Sequence, residues 1–430
     1  FEISEQFDTP VIIRLTTRVA HTKENVEIGV RREIENKPFT PNAPKYVMVP
    51  GHAYKKHIAL EAKLLELQKF SENSGLNSIE YNDTSVGIIA DGVSYLYAKE
   101  VMPKASFLKL GFTYPFPDKK IIDFAKEVKE LYVIEELEPF IEERVKQLGI
   151  AFKTKDPSYR IGELTPSLVR DIFAGKPKIE KPNTARKPVL CPGCSHRAVF
   201  VALKKLKAVV AGDIGCYTLG ALKPLEALHT TVCMGASVTM FESMSKILGN
   251  NKVVGVIGDS TFVHSGITGL VDAAYNKAKG LIIILDNSNT AMTGSQPNPS
   301  TGVDAKGRET KQLVLEDICK AAGADIVENI NPFNAGLQEK IRELMNKDAL
   351  SVLIARFTCR VKERNKAFVP VFTAEKCVKC GACLQIDCPA VYKNEDGNIV
   401  HDDFLCNGCN VCAHSCKFGA LVKSPQSEIF

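Results

Sequence analysis

Two cysteine runs near the end of the chain, "CVKCGACLQIDCP" at 377–389 and "CNGCNVCAHSCKFGA" at 406–420, constrain it more than any other feature. They place eight of its 14 cysteines within forty residues. Each run is a C-x2-C-x2-C triplet with a fourth cysteine beyond it, and three thiolates at that spacing wrap one corner-rich cluster in a tight loop. The fourth ligand crosses over from the other run, as in two-cluster bacterial ferredoxins. By that rule Cys377, Cys380, Cys383 and Cys416 hold one [4Fe-4S] cluster, and Cys406, Cys409, Cys412 and Cys388 hold a second. Gly381 and Gly408 let the backbone pass close to sulfur. Structural zinc also uses C-x2-C pairs, but two successive triplets are not its pattern. The run departs from the ferredoxin spacing twice: Cys388 follows Cys383 after four residues rather than three, and Lys417 stands where proline is expected.

Such a tail carries electrons singly and has no substrate pocket, so the donor lies upstream. Paired cysteines without a secretory leader point to metal ligation in a reducing compartment, which places the chain in the cytoplasm. The net charge of +5 is dispersed over 430 residues, with no basic block of the kind that grips nucleic acid. Apolar runs such as "GLIIIL" at 280–285 fall far short of the roughly 20 residues that cross a bilayer. The first residue is Phe, and the chain reads as part of a longer polypeptide.

The stretch 251–287 divides into a buried strand (253–258), an amphipathic helix with Ile267, Leu270, Val271, Ala274 and Ala278 on one face and a stop at Gly280, and a second strand (280–286). A strand, crossover helix and strand of this length pair in parallel, which brings Asp259 and Asn287 to the same carboxyl edge. One carboxylate and one amide oxygen suit octahedral Mg2+ that completes its shell with phosphate oxygens and water. Small-residue turns at "LCPGCSH" (190–196), "GDIGC" (212–216) and "CMGAS" (233–237) let amides approach phosphate.

"GDS" with an asparagine 28 residues after its Asp resembles the GDG-to-N motif of thiamine-diphosphate enzymes. By that resemblance Asp259, Asn287 and the carbonyl of Asn289 bind the metal, with Gly258 and Ser260 in the turn; Ser260 replaces the usual glycine. "TAMTGSQ" at 290–296 resembles the loop of ferredoxin-linked 2-oxoacid oxidoreductases that puts Met292, Thr293 and Gly294 near the cofactor. From about 185 to 425, the order of a thiamine domain and a two-cluster tail resembles the alpha subunits of indolepyruvate ferredoxin oxidoreductases. The resemblance implies that Cys191, Gly193, Cys194, Cys216 and Gly235 line the cofactor pocket and that His196 is catalytic, near the thiazolium. Read as residues alone, Cys191 and Cys194 are a redox pair or half a zinc site, and His196 is a helix-start residue facing water. Cys319 and Cys359 read as plain buried thiols.

The resulting expectation is an α/β chain in five parts. Residues 1–40 end a pyrimidine-binding domain whose remainder is absent, with "TPVIIRL" at 9–15 as its last strand. Residues 41–150 hold a connector helix, with Leu60, Leu64 and Leu67 on its apolar side, and a transketolase C-terminal-like parallel domain. A proline-rich surface linker (151–188, including Pro182) follows, then a thiamine-diphosphate domain (189–365) and a ferredoxin domain (366–430). The resemblance implies oxidative decarboxylation of aryl pyruvates to aryl-acetyl-CoA, with thiamine diphosphate, Mg2+ and two [4Fe-4S] clusters as cofactors. It also implies coenzyme A as cosubstrate, external ferredoxin as acceptor, and a smaller beta subunit in a dimer of heterodimers. The rival readings are another 2-oxoacid:ferredoxin oxidoreductase, a non-catalytic iron-sulfur carrier, and a non-oxidative thiamine enzyme that leaves the tail unused.

Overall fold

The computed structural model describes residues 1–31, 38–179, 187–249, 251–362 and 369–424, so Pro182 and the boundary at 365/366 lie outside the described residues. The chain folds as two compact units, 1–184 and 185–430. Among the described residues no helix is long and apolar enough to cross a membrane.

The first unit is built on a four-stranded sheet ordered β1-β3-β2-β4, with β1 Asn77–Glu80, β2 Asp83–Asp91, β3 Ala105–Leu110 and β4 Glu130–Ile134. β2 runs parallel to β3 and β4, while β1, which the hydrophobic pattern does not predict, is antiparallel to β3. Period-two alternation sends Ile88 and Phe107 to one face and Ile89 and Leu108 to the other. Helix Pro50–Asn73 lies where expected, but only Leu67 and Ser71 are buried on it, and Leu60 is 44% exposed. Charged residues interrupt its apolar stripe, and only its last turns reach the sheet. The segment 9–15 forms no strand: Ile12 and Ile13 are 92% and 80% exposed, and no described strand pairs with it. Nor is 154–179 a surface linker. Tyr159, Leu164, Val169 and Ile172 enter the core of this unit, and Pro166–Phe173 is a helix capped by Thr165.

The second unit carries an all-parallel sheet ordered β5-β6-β7-β9-β8, made of β5 Val209–Ala211, β6 Val253–Gly258, β7 Gly280–Asp286, β8 Ile326–Ile330 and β9 Leu350–Arg356. β6 and β7 read as continuous apolar runs because both faces are covered. Leu281, Ile283 and Leu285 pack under helices Ser195–Leu206 and Leu337–Met345, and Ile282 and Ile284 under Ala236–Leu248 and Ile267–Tyr275. The crossover helix ends at Tyr275, with Lys277 taking the left-handed turn, before the predicted stop at Gly280. Val271 faces solvent, and Gly269 and Ala273 take the buried face instead. A π-turn at Phe262–Gly266 shifts the helical phase between the end of β6 and this helix.

The tail continues the core of this unit: Cys383, Ile386, Val391, Ile399, Val411, Cys412 and Leu421 join the cluster that contains Leu190, Val199 and Leu203. Its pairs are short and antiparallel, Val371–Phe372 with Leu421–Val422 and Val391–Lys393 with Ile399–His401. Ile283, fully buried in the central strand, tests the ledger of this unit. Ile283→Ala should lower its stability by about 2–5 kcal/mol, read as a drop in the denaturant midpoint of unfolding followed by circular dichroism.

Candidate functional site at the carboxyl edge of the parallel sheet

Register pairs Gly258 with Leu285, so β6 and β7 end side by side and release Asp259 and Asn287 at the same edge. Both are buried, 2% and 7% exposed. Asp259 accepts a 3.2 Å hydrogen bond from Asn298, and no cation pairs with it among the described residues. Burial, with Asp286 nearby, pushes its carboxyl up to about 6. The amide oxygen of Asn287 accepts from the Asn289 N–H at 3.2 Å, which folds the 287–289 turn beside Asp259. Ser288 holds that turn in the left-handed region (φ 52°), its N–H donating to Asp286 at 3.0 Å. Behind it, Arg356 donates to Asp286 at 2.6 Å and to Glu316 at 2.8 and 3.1 Å, so the acid nearest Asp259 is neutralised from the far side.

His196 stands in the first turn of its helix, 3% exposed, with Nε2 3.4 Å from the Asn287 amide nitrogen and its ring edge-on to Tyr217 at 5.9 Å. It does not face water. Burial pulls its imidazole down to about 4, so it is neutral at physiological pH. Asp213, after β5, accepts from both Gly235 and Ser237 N–H groups at 3.0 Å and thereby occupies the start of helix Ala236–Leu248. The Gly235 amide is thus committed to protein rather than free for phosphate. Its φ of 91°, with a Cβ reaching Ser265 O at 2.7 Å, explains the glycine. Gly193 also departs from expectation: a Cβ there would meet Asn407 of the tail at 2.8 Å, so its small size serves packing between segments. Met292, Thr293 and Gly294 lie on an exposed loop, tied to the edge through the 2.9 Å Thr290–Ser260 contact.

Twelve of the 14 thiols fall into three sets of four whose members act on one another electrostatically. One small apolar cavity is lined by Cys377, Cys380, Cys383 and Cys416, and Cys383 feels the other three electrostatically. Cys412 likewise faces Cys388, Cys406 and Cys409. Burial raises the Cys409 thiol to about 11, and pushes Cys412 higher still. Backbone N–H groups aim at sulfur in both groups: Gly408 at Cys406 (3.3 Å) and Leu421 at Cys416 (3.4 Å). Burial disfavours the Cys416 thiolate, but N–H groups from Leu421, Phe418, Ala420 and Gly419 outweigh it and hold this thiol below its usual range. The third group is new to the sequence reading. Cys194 feels Cys191 and Cys216, and Cys216 feels Cys191 and Cys359. Cys359 is only partly buried rather than a plain buried thiol, and its N–H donates to the Asn287 carbonyl at 3.0 Å, beside the 287–289 turn. Among the described residues no three histidine, cysteine or acidic side chains converge on a point as ligands of a single ion must.

Residues 213–355, from the Asp213 turn through β9, match the family described as thiamine pyrophosphate enzyme, C-terminal TPP binding domain. The chain is 36% identical to indolepyruvate oxidoreductase subunit IorA of Archaeoglobus fulgidus over 98% of its own length and 73% of the relative's. With IorA of Pyrococcus horikoshii it is 34% identical over 100% of its length and 75% of the relative's. The chain belongs to the IorA family. A shorter likeness, 27% identity over 41% of the chain, links it to 2-oxoglutarate synthase subunit KorB of Archaeoglobus fulgidus, 72% of which is covered. As an IorA family member with the matched domain, it is a thiamine-diphosphate-dependent oxidoreductase.

Asp213, Asn298, Cys359 and the Asp286–Arg356–Glu316 chain carry the site of this IorA relative without a motif of their own. Asp213 lies too far ahead of helix Ala236–Leu248 in sequence to be read as its cap. Glu316 allows a direct check. Its hydrogen bonds from Arg356 hold the carboxyl at about 2, below the ordinary 4.5. A depressed acid stabilises the fold above the unfolded value and loses that contribution as pH falls through the folded one. Because Arg356 is 43% exposed, Glu316→Gln should cost only about 1–2 kcal/mol at neutral pH. Urea unfolding curves of variant and parent should draw together between pH 4.5 and 2.

Proposed function

We propose that this chain is the cofactor-bearing subunit of a complex that converts an aryl pyruvate, indolepyruvate among them, and coenzyme A to aryl-acetyl-CoA and carbon dioxide. Two oxidised ferredoxins each take one electron, and one proton is released. The observation that carries the reading is a buried carboxylate–amide edge, without a cation of its own, in the same folded unit as four-thiol groups. The relatives' names, indolepyruvate oxidoreductase, support the aryl substrate class.

The donor set fits magnesium diphosphate. Asp259 is an acid desolvated with only amide partners, so a cation that met it would relieve the cost of keeping it ionised. The Asp259 carboxylate, the Asn287 amide oxygen and the Asn289 carbonyl would hold Mg2+. When bound, thiamine diphosphate supplies the electron sink for loss of carbon dioxide. His196 is the catalytic side chain of this reading: a neutral imidazole that accepts from the Asn287 amide and keeps its other nitrogen for a proton in the closed pocket. Tyr217, 3% exposed and pressed against Gly258, shuts water out beside it.

The tail, 366–430, is a two-cluster ferredoxin domain in this reading, after a thiamine-diphosphate domain at 189–365 and a transketolase C-terminal-like domain within 41–150. Cys377, Cys380, Cys383 and Cys416 would hold one [4Fe-4S] cluster, and Cys388, Cys406, Cys409 and Cys412 the other. Cys191, Cys194, Cys216 and Cys359 would hold a third, and the Cys359 main chain is bonded to the Asn287 turn at the proposed diphosphate edge. Backbone N–H groups directed at sulfur suit anionic thiolates. The complex also contains a smaller beta subunit, as a dimer of heterodimers, and works in the cytoplasm.

Elemental and cofactor analysis of the purified complex tests this directly. The expected content is about twelve irons with matching sulfide and one thiamine diphosphate per chain; zinc in place of iron would overturn the electron route. Asp259→Ala should abolish binding of magnesium thiamine diphosphate in calorimetry while leaving iron content unchanged. Retained binding would remove Asp259 from the metal site. Reduction of ferredoxin by other 2-oxoacids but not by indolepyruvate would remove the substrate assignment.

A further inference from the structure

Among the described residues Arg197 is the largest side chain with no solvent exposure. Its guanidinium is a permanent charge, yet its hydrogen bonds run only to main-chain carbonyls: Leu190 and Cys191 (3.1 Å) on one side, Ile386 (2.7 Å) and Asp387 on the other. Its Nε has no partner. The side chain of Asp387, whose carbonyl Arg197 holds, is engaged by Lys187 at 3.1 Å, and no described acid pairs with Arg197. Burying a cation against neutral dipoles alone is expensive, and proteins pair such charges. The Arg197 charge reaches Cys194 in one thiol group and Cys409 in another, opposing the burial that disfavours both thiolates.

The carbonyls it gathers belong to the same two groups. Cys191 begins the first, while Ile386 and Asp387 lie between Cys383 and Cys388 of the tail. A second tie runs in parallel: Asn407, next to Cys406, donates to the Pro192 carbonyl at 2.8 Å and packs on Gly193. The loop 191–194 is therefore clasped by tail segments on both sides, and Arg197 is a charged link between them.

We infer that Arg197 is a positioning residue for electron transfer: a fixed buried cation that locks the tail loop 386–388 onto the 191–194 loop and whose counter-charge is the anionic thiolate centres on either side. This rests on the reading of both groups as iron-sulfur ligands. A cation there favours the reduced state of its neighbours and raises their midpoints, because each reduction adds negative charge beside it.

The test uses the full chain in its complex, with Arg197→Gln and Arg197→Lys, and reads the potential by electron paramagnetic resonance during redox titration and the clasp by hydrogen exchange. Arg197→Gln should move the midpoint of at least one centre to more negative potential and speed exchange at 384–391, with iron content unchanged. Arg197→Lys should keep the midpoint near that of the parent but speed exchange, since one ammonium cannot reach carbonyls on both loops. A Gln variant with parental midpoints, or equal midpoint shifts in both variants, would overturn the charge role. If the Gln variant does not assemble, the Lys variant decides: parental exchange at 384–391 would sink the clasp. A parent complex without iron signals defeats the ligand reading and removes the counter-charge; a parent with intact signals and unaltered variants defeats Arg197 alone.

Discussion

Parallel pairing is the constraint on which the second unit depends. Strands that run the same way must all end on one edge, and the helices that connect them must all begin there. Asp259, Asn287, His196, Asp213 and Cys359 come from five separate segments, yet each follows a strand of this sheet or opens a helix packed on it. The apolar runs of β6 and β7 keep the sheet closed on both faces, so the polar groups released at the edge are buried as well. Buried polar groups then need partners, and that demand explains most of the local geometry.

Two charge arrangements answer it in opposite ways. At the carboxyl edge of the sheet two acids, Asp259 and Asp286, lie close in a desolvated place. Arg356 compensates one from behind, and no cation pairs with Asp259 among the described residues. At the thiol groups the order reverses: Arg197 is a cation held by carbonyls. In each case a buried charge stands without an opposite charge among the described residues, which is costly in a desolvated place. Asp213 is the contrast. Its carboxylate is fully met by the N–H groups of Gly235, Ser237 and Ile214, so it is a structural cap with no charge to spare.

Where the reading from residues departed from the structure, the cause was a partner distant in sequence. Gly193 and Gly235 were recognisable as turn glycines, but whether a turn faces phosphate, an acid or the tail depends on what packs against it. The segment 9–15 has strand-like composition and no neighbour to complete a ladder. Tyr159, Val169 and Ile172 sit among prolines that read as linker, yet the sheet of the first unit has an open face that they fill. Cys359 looked like an isolated thiol because its companions are more than 140 residues away in the chain.

What the amino-acid order determined by itself was whatever short-range periodicity and spacing encode: the β6–helix–β7 crossover, the Asp259-to-Asn287 interval, and the two cysteine triplets. These depend on strand rise, helix pitch and the reach of a few residues, which no distant contact alters. Only the tertiary structure decided that Cys216 and Cys359 join Cys191 and Cys194, that His196 is buried and neutral rather than exposed, and that Arg197 spans two loops. Those outcomes follow from desolvation and from the convergence of remote segments, and neither exists until the chain has closed on itself.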